Sequence, residues 1–312
     1  MGDPSGIGPE VIIKAFRSRG VLPLADFVVI GDRRVLTLAL GRRAYAAGSR
    51  NFTVIDLGNV SKERFEYGKI KPEYGKVSLE YLGKALELLK SKKIDCLVTA
   101  PVNKKAINLA GYDFSGQTEY IARAFRAKDA VMLLGNKKLK VSLVTRHIPL
   151  NDVCRCLDID RIYKTILGTG LGLKALFSIA RPKIAVCALN PHASDNGVIG
   201  NEEKRLIIPA IARARRKGVI ADGPYPADTI FEKAAGGSYD CVVCMYHDQG
   251  LIPLKLTGFA YSVNVTLGLP FVRTSPGHGT AFDIAGNNKA DATSFVEAIK
   301  TAVQCAQNLK RA

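Results

Sequence analysis

Short apolar runs alternate along the chain with segments whose apolar residues recur at helical spacing. The runs 27–30, 52–55 and 96–99 predict strands. The segment 77–93 has leucines and alanines three and four residues apart and ends in lysines, which predicts a helix. This alternation indicates an α/β fold with largely parallel sheets and flanking helices.

The same alternation continues in the second half of the chain. No internal repeat or flexible linker interrupts it, so we expect two lobes formed by excursions of one chain. We place 1–115 with 270–312 in one lobe and 116–269 in the other, with the active site in the cleft between them. The further predicted strands are 130–134, 141–144, 183–187 and 240–245, and the further predicted helices are 160–177, 202–216 and 293–309.

Polar segments rich in glycine and proline come just after several of these strands. They are Thr99-Ala-Pro, Thr145-Arg-His, Asn190-Pro-His and Tyr246-His-Asp-Gln-Gly. Ligands of α/β sheets bind at the carboxyl ends of strands. The sequence therefore predicts an active site formed by these loops.

Three of the four histidines lie in these loops. A single histidine at a strand end is more often a hydrogen-bonded structural residue, but His147, His192 and His247 occupy equivalent places. Imidazoles that converge on a divalent ion leave positions open for substrate oxygens. We therefore predict a metal site, with Asp248 as a group that orients His247 or handles a proton.

The seven cysteines do not indicate a disulfide framework, because their number is odd and they are scattered along a long chain. Cys241 and Cys244 have the spacing of a zinc or redox pair. Their segment is apolar and predicts a strand, in which residues three apart point to opposite faces. We expect a structural role for both.

The net charge of +17 makes nucleic acid a partner to consider. Lysine and arginine are spread out, however, and aromatic residues make up only 7% of the chain, with no tryptophan to stack on bases. We prefer a solvated basic surface and expect no nucleic-acid partner, while a positive field that attracts anionic substrates is a lesser alternative. No apolar run is long enough for a membrane span and no signal peptide is visible, so we expect a cytoplasmic protein without a membrane partner.

Two glycine-rich segments offer backbone amides to a ligand. Residues 276–286 could meet a dinucleotide, although they lack the G-x-G-x-x-G spacing and could equally be a turn. Residues 2–10 could bind an anion at a helix N-terminus or form a tight turn into that helix.

Taken together, these segments resemble the 4-hydroxythreonine-4-phosphate dehydrogenase family of vitamin B6 biosynthesis, nearly end to end. The 278–286 segment also looks like the cofactor loop of isocitrate and isopropylmalate dehydrogenases, which implies their two-lobed fold. The motifs that carry the resemblance are Gly2-Asp-Pro-Ser-Gly-Ile-Gly-Pro-Glu, Thr99-Ala-Pro-Val-Asn-Lys, Ser115-Gly-Gln-Thr-Glu, Leu189-Asn-Pro-His, Pro226-Ala-Asp-Thr, Met245-Tyr-His-Asp-Gln-Gly, Asn264-Val-Thr-Leu-Gly-Leu-Pro and His278-Gly-Thr-Ala-Phe-Asp-Ile-Ala-Gly.

The resemblance implies an oxidoreductase that uses NAD or NADP and one divalent ion (Zn, Co, Mn or Mg), shared across a homodimer interface. Its reaction removes hydride from an alcohol carbon of 4-phosphohydroxy-L-threonine, and the resulting β-keto acid loses carbon dioxide to give 3-amino-2-oxopropyl phosphate. The implied residues are His147, His192 and His247 for the metal; Gln117, Thr118, Lys255, Asn264 and Arg273 for the substrate; Gly277, His278, Gly279, Thr280, Ala281 and Asp283 for the cofactor; and Asp248 and Lys255 for catalysis.

Two features depart from that family. Members usually have histidine where this chain has Gln117, which can donate to a phosphate oxygen but carries no charge. They also usually have a short apolar strand before the Gly-Asp-Pro motif, whereas Met1 stands almost at it here. A related dehydrogenase of 4-phosphothreonate, phosphoerythronate or a cyclic dihydrodiol carboxylate is therefore the alternative enzyme, and a basic nucleic-acid-binding protein is the alternative of another class.

Overall fold

The computed structural model describes residues 1–40, 51–61 and 63–311. The chain forms two compact units. Unit 1 consists of Met1–Arg126 and Phe271–Ala306, and unit 2 consists of Ala127–Pro270 and Gln307–Ala312.

Unit 1 contains two pairs of parallel strands, β1 with β2 and β3 with β10. Its core joins helices from both ends of the sequence, because Val11 and Ile12 of α1 belong to the same buried cluster as Phe295 and Ile299 of α11. The elements of unit 1 are α1 (Gly8–Arg17), β1 (Phe27–Gly31), α2 (Arg33–Leu40), β2 (Phe52–Asp56), α3 (Pro72–Lys90), β3 (Cys96–Val98), α4 (Lys104–Leu109), α5 (Gln117–Ala124), β10 (Val272–Pro276) and most of α11 (Thr293–Arg311).

Unit 2 contains six strands in the order β9-β4-β5-β8-β6-β7. β5, β8, β6 and β7 are parallel, and β4 runs antiparallel to both of its neighbours. Its elements are β4 (Val131–Gly135), β5 (Lys140–Leu143), α6 (Val153–Cys156), α7 (Ile159–Phe177), β6 (Lys183–Cys187), α8 (Ile208–Arg215), β7 (Ile220–Tyr225), α9 (Ala227–Ala235), β8 (Cys241–Cys244), α10 (His247–Gly258) and β9 (Val263–Leu267).

The predicted α/β architecture is confirmed, with mainly parallel strands and helices between them. One predicted helix is only partly α-helical, because Glu203–Ile207 is a π-helical turn that leads into α8. Three strands were not predicted at all: β7, β9 and β10. β10 has the sequence Val-Arg-Thr-Ser-Pro, which is largely polar, yet all five of its residues are buried.

Cys241 and Cys244 lie in β8, as predicted, and all four residues of that strand are buried. Neither cysteine forms a disulfide. Burial raises the pKa of Cys241 to about 12, so its thiol stays protonated at neutral pH. A protonated buried thiol is a poor metal ligand, which supports a structural role.

None of the helices in the described part of the chain combines the length and the apolar character needed to cross a bilayer.

Candidate functional site

The loops that carry three of the histidines follow neighbouring parallel strands of unit 2. β8 lies between β5 and β6 and pairs with both. His147 follows β5, His247 follows β8 and His192 follows β6. Because the strands are parallel, their carboxyl ends lie at the same edge of the sheet, and all three histidines follow these ends.

His147 and His247 are adjacent in space. Their ring centroids are 5.5 Å apart. His247 is the first residue of α10, and its Nδ1 lies 2.6 Å from Oδ1 of Asp248. A carboxylate at Nδ1 fixes the imidazole tautomer that leaves Nε2 available to a metal or a substrate.

His192 lies on an exposed turn with unusual backbone geometry. Five consecutive residues, 192–196, have positive φ angles between 45° and 64°. Left-handed backbone is unfavourable for residues other than glycine, so contacts elsewhere must hold this turn. Within the described ranges, no three His, Cys, Asp or Glu side chains are grouped so that they could hold a metal ion.

Glu203 anchors the start of this turn. Its buried carboxylate accepts hydrogen bonds from the backbone N–H of Leu189 and of Asn190, both at 2.8 Å, and from Nδ2 of Asn190 at 2.9 Å. Sequence analysis missed Glu203, because no local pattern distinguishes it from an ordinary surface residue of a helix.

Unit 1 contains a second group of predicted residues around Arg273. This arginine lies on β10 and is 2% exposed. Its Nη2 donates to Oγ1 of Thr99 at 2.7 Å and to Oε1 of Gln117 at 2.9 Å, and its Nη1 donates to Oγ1 of Thr118 at 3.3 Å. Thr99 was noted in a loop motif but not predicted as a site residue. It is brought to Arg273 by the pairing of β3 with β10.

The Arg273 group favours an anionic ligand. Burial lowers the pKa of Arg273 to about 10, and the charge of Glu119 opposes this shift, so the guanidinium remains charged at neutral pH. Gln117 and Thr118 are the first residues of α5, whose amino end carries partial positive charge. A planar guanidinium beside a helix N-terminus suits a phosphate or carboxylate.

The other two predicted substrate residues lie in unit 2. Lys255 is exposed on α10, with Nζ 5.5 Å from the centroid of the Phe259 ring. Asn264 lies on β9, and its Oδ1 is buried and makes no hydrogen bond with the described residues. An unsatisfied buried acceptor of this kind is open to a ligand donor.

Two hydrogen bonds within unit 1 hold part of the glycine-rich loop that is predicted to bind a cofactor. The N–H of Gly277 donates to Oγ of Ser294, and the carbonyl of Thr280 accepts from the N–H of Ile7. The space beside Gly279 is open, and Asp283 is exposed. The loop therefore keeps an accessible backbone and carboxylate.

His278 is the titratable side chain at the start of this loop. Its Nδ1 lies 3.1 Å from the carbonyl oxygen of Gly279, and its buried Nε2 makes no hydrogen bond to any described residue. Burial lowers its pKa, so the ring is neutral at physiological pH. Because its one proton lies on Nδ1, toward the carbonyl of Gly279, Nε2 is left to accept one hydrogen bond from a ligand.

The N-terminal glycine motif forms a tight turn whose amides are used within the protein. The N–H of Ser5 donates to Oδ1 of Asp3, and the N–H of Gly6 donates to the carbonyl of Asp3. The N–H of Ile7 is bound to Thr280. Of the two interpretations of this motif, the turn accounts for these contacts.

Unit 1 has a buried arginine on a strand, and unit 2 has imidazoles after three adjacent parallel strands. Each feature is typical of α/β enzymes that handle small anionic metabolites. Comparison with known proteins identifies which family of such enzymes this is. Residues 23–302 match the family described as pyridoxal phosphate biosynthetic protein PdxA. The chain belongs to this family and is an oxidoreductase of the kind that acts on a CH–OH group.

Two curated relatives match over nearly the full length of both chains. The 4-hydroxythreonine-4-phosphate dehydrogenase of Desulfosudis oleivorans is 43% identical over 97% of this chain and 94% of its own length. The D-threonate 4-phosphate dehydrogenase of Salmonella typhimurium is 42% identical over 98% of this chain and 97% of its own length.

Solved structures agree on the fold. The crystal structure of 4-hydroxythreonine-4-phosphate dehydrogenase from Klebsiella pneumoniae superposes with a TM-score of 0.86 at 40% identity, covering 98% of each chain. Isocitrate dehydrogenase from Methylococcus capsulatus has a TM-score of 0.50 at 13% identity, covering 99% of this chain and 86% of that one, a likeness of fold alone. The predicted family and the predicted likeness to the isocitrate dehydrogenase fold are confirmed. The resemblance of the 278–286 segment to a cofactor loop stays a prediction.

Proposed function

We propose that this protein oxidises 4-phosphohydroxy-L-threonine with NAD or NADP and that the product loses carbon dioxide to give 3-amino-2-oxopropyl phosphate. The observation that carries the proposal is the buried, charged Arg273 held by Thr99, Gln117 and Thr118. It offers a preformed site for an anionic group of a phosphorylated hydroxy acid. The 43% identity to a dehydrogenase named for this substrate supports the assignment.

We assign one divalent metal ion to His147, His192 and His247. The donor chemistry fits, because two imidazoles are adjacent, one has a carboxylate at Nδ1, and the third follows the next strand of the sheet. A bound divalent ion would polarise the substrate hydroxyl and the ketone that replaces it, and a bound nicotinamide would take the hydride.

The chain's own side chains would bind and orient the substrate. Arg273 and Lys255 supply positive charge for the phosphate and carboxylate groups, and Thr118 and Asn264 supply hydrogen bonds. Asp248 holds the Nδ1 proton of His247. The glycine-rich loop from Gly277 to Asp283 would bind the dinucleotide, with the exposed carboxylate of Asp283 facing solvent.

We also propose that the active form is a homodimer in which two copies complete the metal site. Within the described residues of one chain, His147, His192 and His247 do not form a group that could hold a metal ion. A second copy would have to supply the missing ligand. α10 begins at His247 and presents an exposed apolar surface, with Ile252 59% and Leu256 83% exposed. Large apolar side chains in such a cluster usually mark a protein interface.

A second candidate substrate is D-threonate 4-phosphate. The relative named for that activity is almost as similar to this chain as the first. Gln117 is neutral where the family usually has histidine, so the environment of the bound substrate differs from that of typical members.

The test is a kinetic panel on metal-stripped protein. Zn²⁺, Co²⁺, Mn²⁺ and Mg²⁺ are added back separately, and formation of NADH or NADPH is followed with 4-phosphohydroxy-L-threonine and with D-threonate 4-phosphate. We expect turnover only with metal, and the higher kcat/KM identifies the substrate. Turnover with neither compound would refute the proposed function.

A further inference from the structure

We infer that Gln249 is a positioning residue that holds the His192 loop and the His247 loop at a fixed distance; this rests on the proposed metal site. Gln249 lies two residues after His247, within the first turn of α10, and is 7% exposed. Both ends of its side-chain amide are hydrogen-bonded to backbone groups of residues that directly follow two different strands, β8 and β6.

On the β8 side, Gln249 fixes the backbone just before His247. Its Oε1 accepts a hydrogen bond from the N–H of Met245 at 2.7 Å. The carbonyl of the same methionine accepts from the N–H of Thr145 at 3.1 Å and from its Oγ1 at 2.7 Å. The N–H and the carbonyl of Met245 are therefore both hydrogen-bonded, and Thr145 connects Met245 to the loop that carries His147.

On the β6 side, Gln249 fixes the backbone before His192. Its Nε2 donates to the carbonyl of Ala188 at 2.7 Å, and the N–H of Ala188 donates to the carbonyl of Tyr225 on β7 at 2.8 Å. The next two N–H groups are bound by Glu203. The backbone N–H groups of residues 188, 189 and 190 therefore all have partners. The next residue, Pro191, has no backbone N–H.

Gln249 is the side chain that spans these two anchored segments. Its removal would leave the N–H of Met245 and the carbonyl of Ala188 without partners in a buried place, which destabilises the folded protein. It would also free the two loops to move relative to each other. Groups that orient metal ligands typically change metal affinity by about 10- to 100-fold.

The experiment compares metal binding with folding stability in the full-length, metal-free protein. Co²⁺ and Zn²⁺ are titrated by calorimetry and by the visible absorption of bound Co²⁺, and stability is measured by urea unfolding. Gln249→Leu removes both hydrogen bonds. Gln249→Glu keeps the acceptor for Met245 but, when ionised, cannot donate to Ala188.

Asn136→Leu is the matched control. Asn136 is a half-buried amide that donates to the carbonyl of Leu254 and to Oγ1 of Thr257, in the turn between β4 and β5. This turn lies at the opposite end of β5 from His147. Loss of the two hydrogen bonds that Asn136 donates should lower the free energy of unfolding without changing the affinity for Co²⁺.

We expect Gln249→Leu and Gln249→Glu each to weaken Co²⁺ binding by about tenfold or more, and Asn136→Leu to leave it unchanged. Wild-type affinity in Gln249→Glu would overturn the inference even if Gln249→Leu failed to fold, because the link to Ala188 would then be dispensable. If the wild-type protein binds Co²⁺ and both variants bind it equally well, only the role of Gln249 fails. If the wild-type protein binds no metal, the proposed metal site fails with it.

Discussion

Gln117 presents its side-chain carbonyl to Arg273, with Oε1 2.9 Å from Nη2 of the arginine. The opposite end of the amide donates from Nε2 to the carbonyl of Ala100 at 3.2 Å. Both polar ends of Gln117 are therefore engaged within the protein. This relationship indicates that Gln117 orients the guanidinium, in addition to any contact it makes with the substrate.

Two substitutions of Gln117 should separate its role in orienting the Arg273 guanidinium from the effect of charge beside that guanidinium. Gln117→Leu removes one acceptor of a charged donor, worth about 1.5–3 kcal/mol, so kcat/KM should fall by about 10- to 100-fold. Gln117→Glu keeps the acceptor but adds a negative charge beside Arg273, and it should raise the KM for the phosphorylated substrate further. Steady-state kinetics measure both effects. Unchanged kinetics in the Glu variant would show that no anion binds at Arg273.

Arg273→Lys should be a damaging substitution although it preserves the charge. Lysine cannot bond Thr99, Gln117 and Thr118 in the planar geometry of a guanidinium. We expect at least about a tenfold loss in kcat/KM, mostly through KM, from loss of a charge-assisted hydrogen bond. Lys300→Arg, on the exposed surface of α11, is a control that should behave like the wild type. Equal kinetics for Arg273→Lys would contradict the anion site.

Asp248→Ala should weaken metal binding by about 10- to 100-fold, because His247 would lose the carboxylate at Nδ1. Asp248→Asn retains an acceptor for Nδ1 of His247, so its affinity for the metal should fall by less. Calorimetric titration of Zn²⁺ into metal-free protein measures both. Asp228→Ala, which removes an exposed acid on α9, controls for the change in net charge. If all three variants bind Zn²⁺ alike, Asp248 does not orient a metal ligand.

Asp3 should make the folded protein less stable as pH rises. Burial raises the pKa of Asp3 to about 6, and hydrogen bonds from the backbone of Ser5 and Asn103 only partly oppose this. The folded state therefore holds the proton more tightly than the unfolded chain. The corresponding stability is complete below pH 4, near the ordinary carboxyl pKa, and is lost as pH rises through about 6.

The matching variant is Asp3→Asn, which keeps the acceptor for Ser5 without a charge. Each pKa unit corresponds to about 1.4 kcal/mol, so the variant should be more stable than the wild type by about 2–3 kcal/mol at pH 8. The difference should vanish near pH 4. Urea unfolding at both pH values measures it, and a pH-independent difference would show that Asp3 does not titrate as described.

Leu256→Asp should disrupt the proposed homodimer, because a carboxylate would then lie in an apolar contact surface on α10. Size-exclusion chromatography with light scattering should show a monomer for this variant and a dimer for the wild type. Leu171→Asp, which changes another exposed leucine of unit 2, is the control and should remain dimeric. A dimeric Leu256→Asp protein would place the interface elsewhere.

Some strands and helices could be predicted from the sequence because they are locally encoded. The apolar run 183–187 matches β6 residue for residue, and the helical spacing of 160–177 gives α7 within one residue. β10 was missed because its partners, rather than its own composition, make it a strand. Arg273 is buried there by pairing with β3, more than 170 residues earlier in the chain.

By itself, the sequence determined that the chain is an α/β protein of a recognisable dehydrogenase family and that histidines follow its strands. Apolar periodicity and rare motifs are local properties, so they can be read along the chain. Only the tertiary structure decided that β8 lies between β5 and β6, which brings the loops of His147 and His192 to either side of that of His247. It also decided that Gln117 meets Arg273 and that Gln249 meets Ala188, because such contacts join residues far apart in sequence and depend on strand order and register.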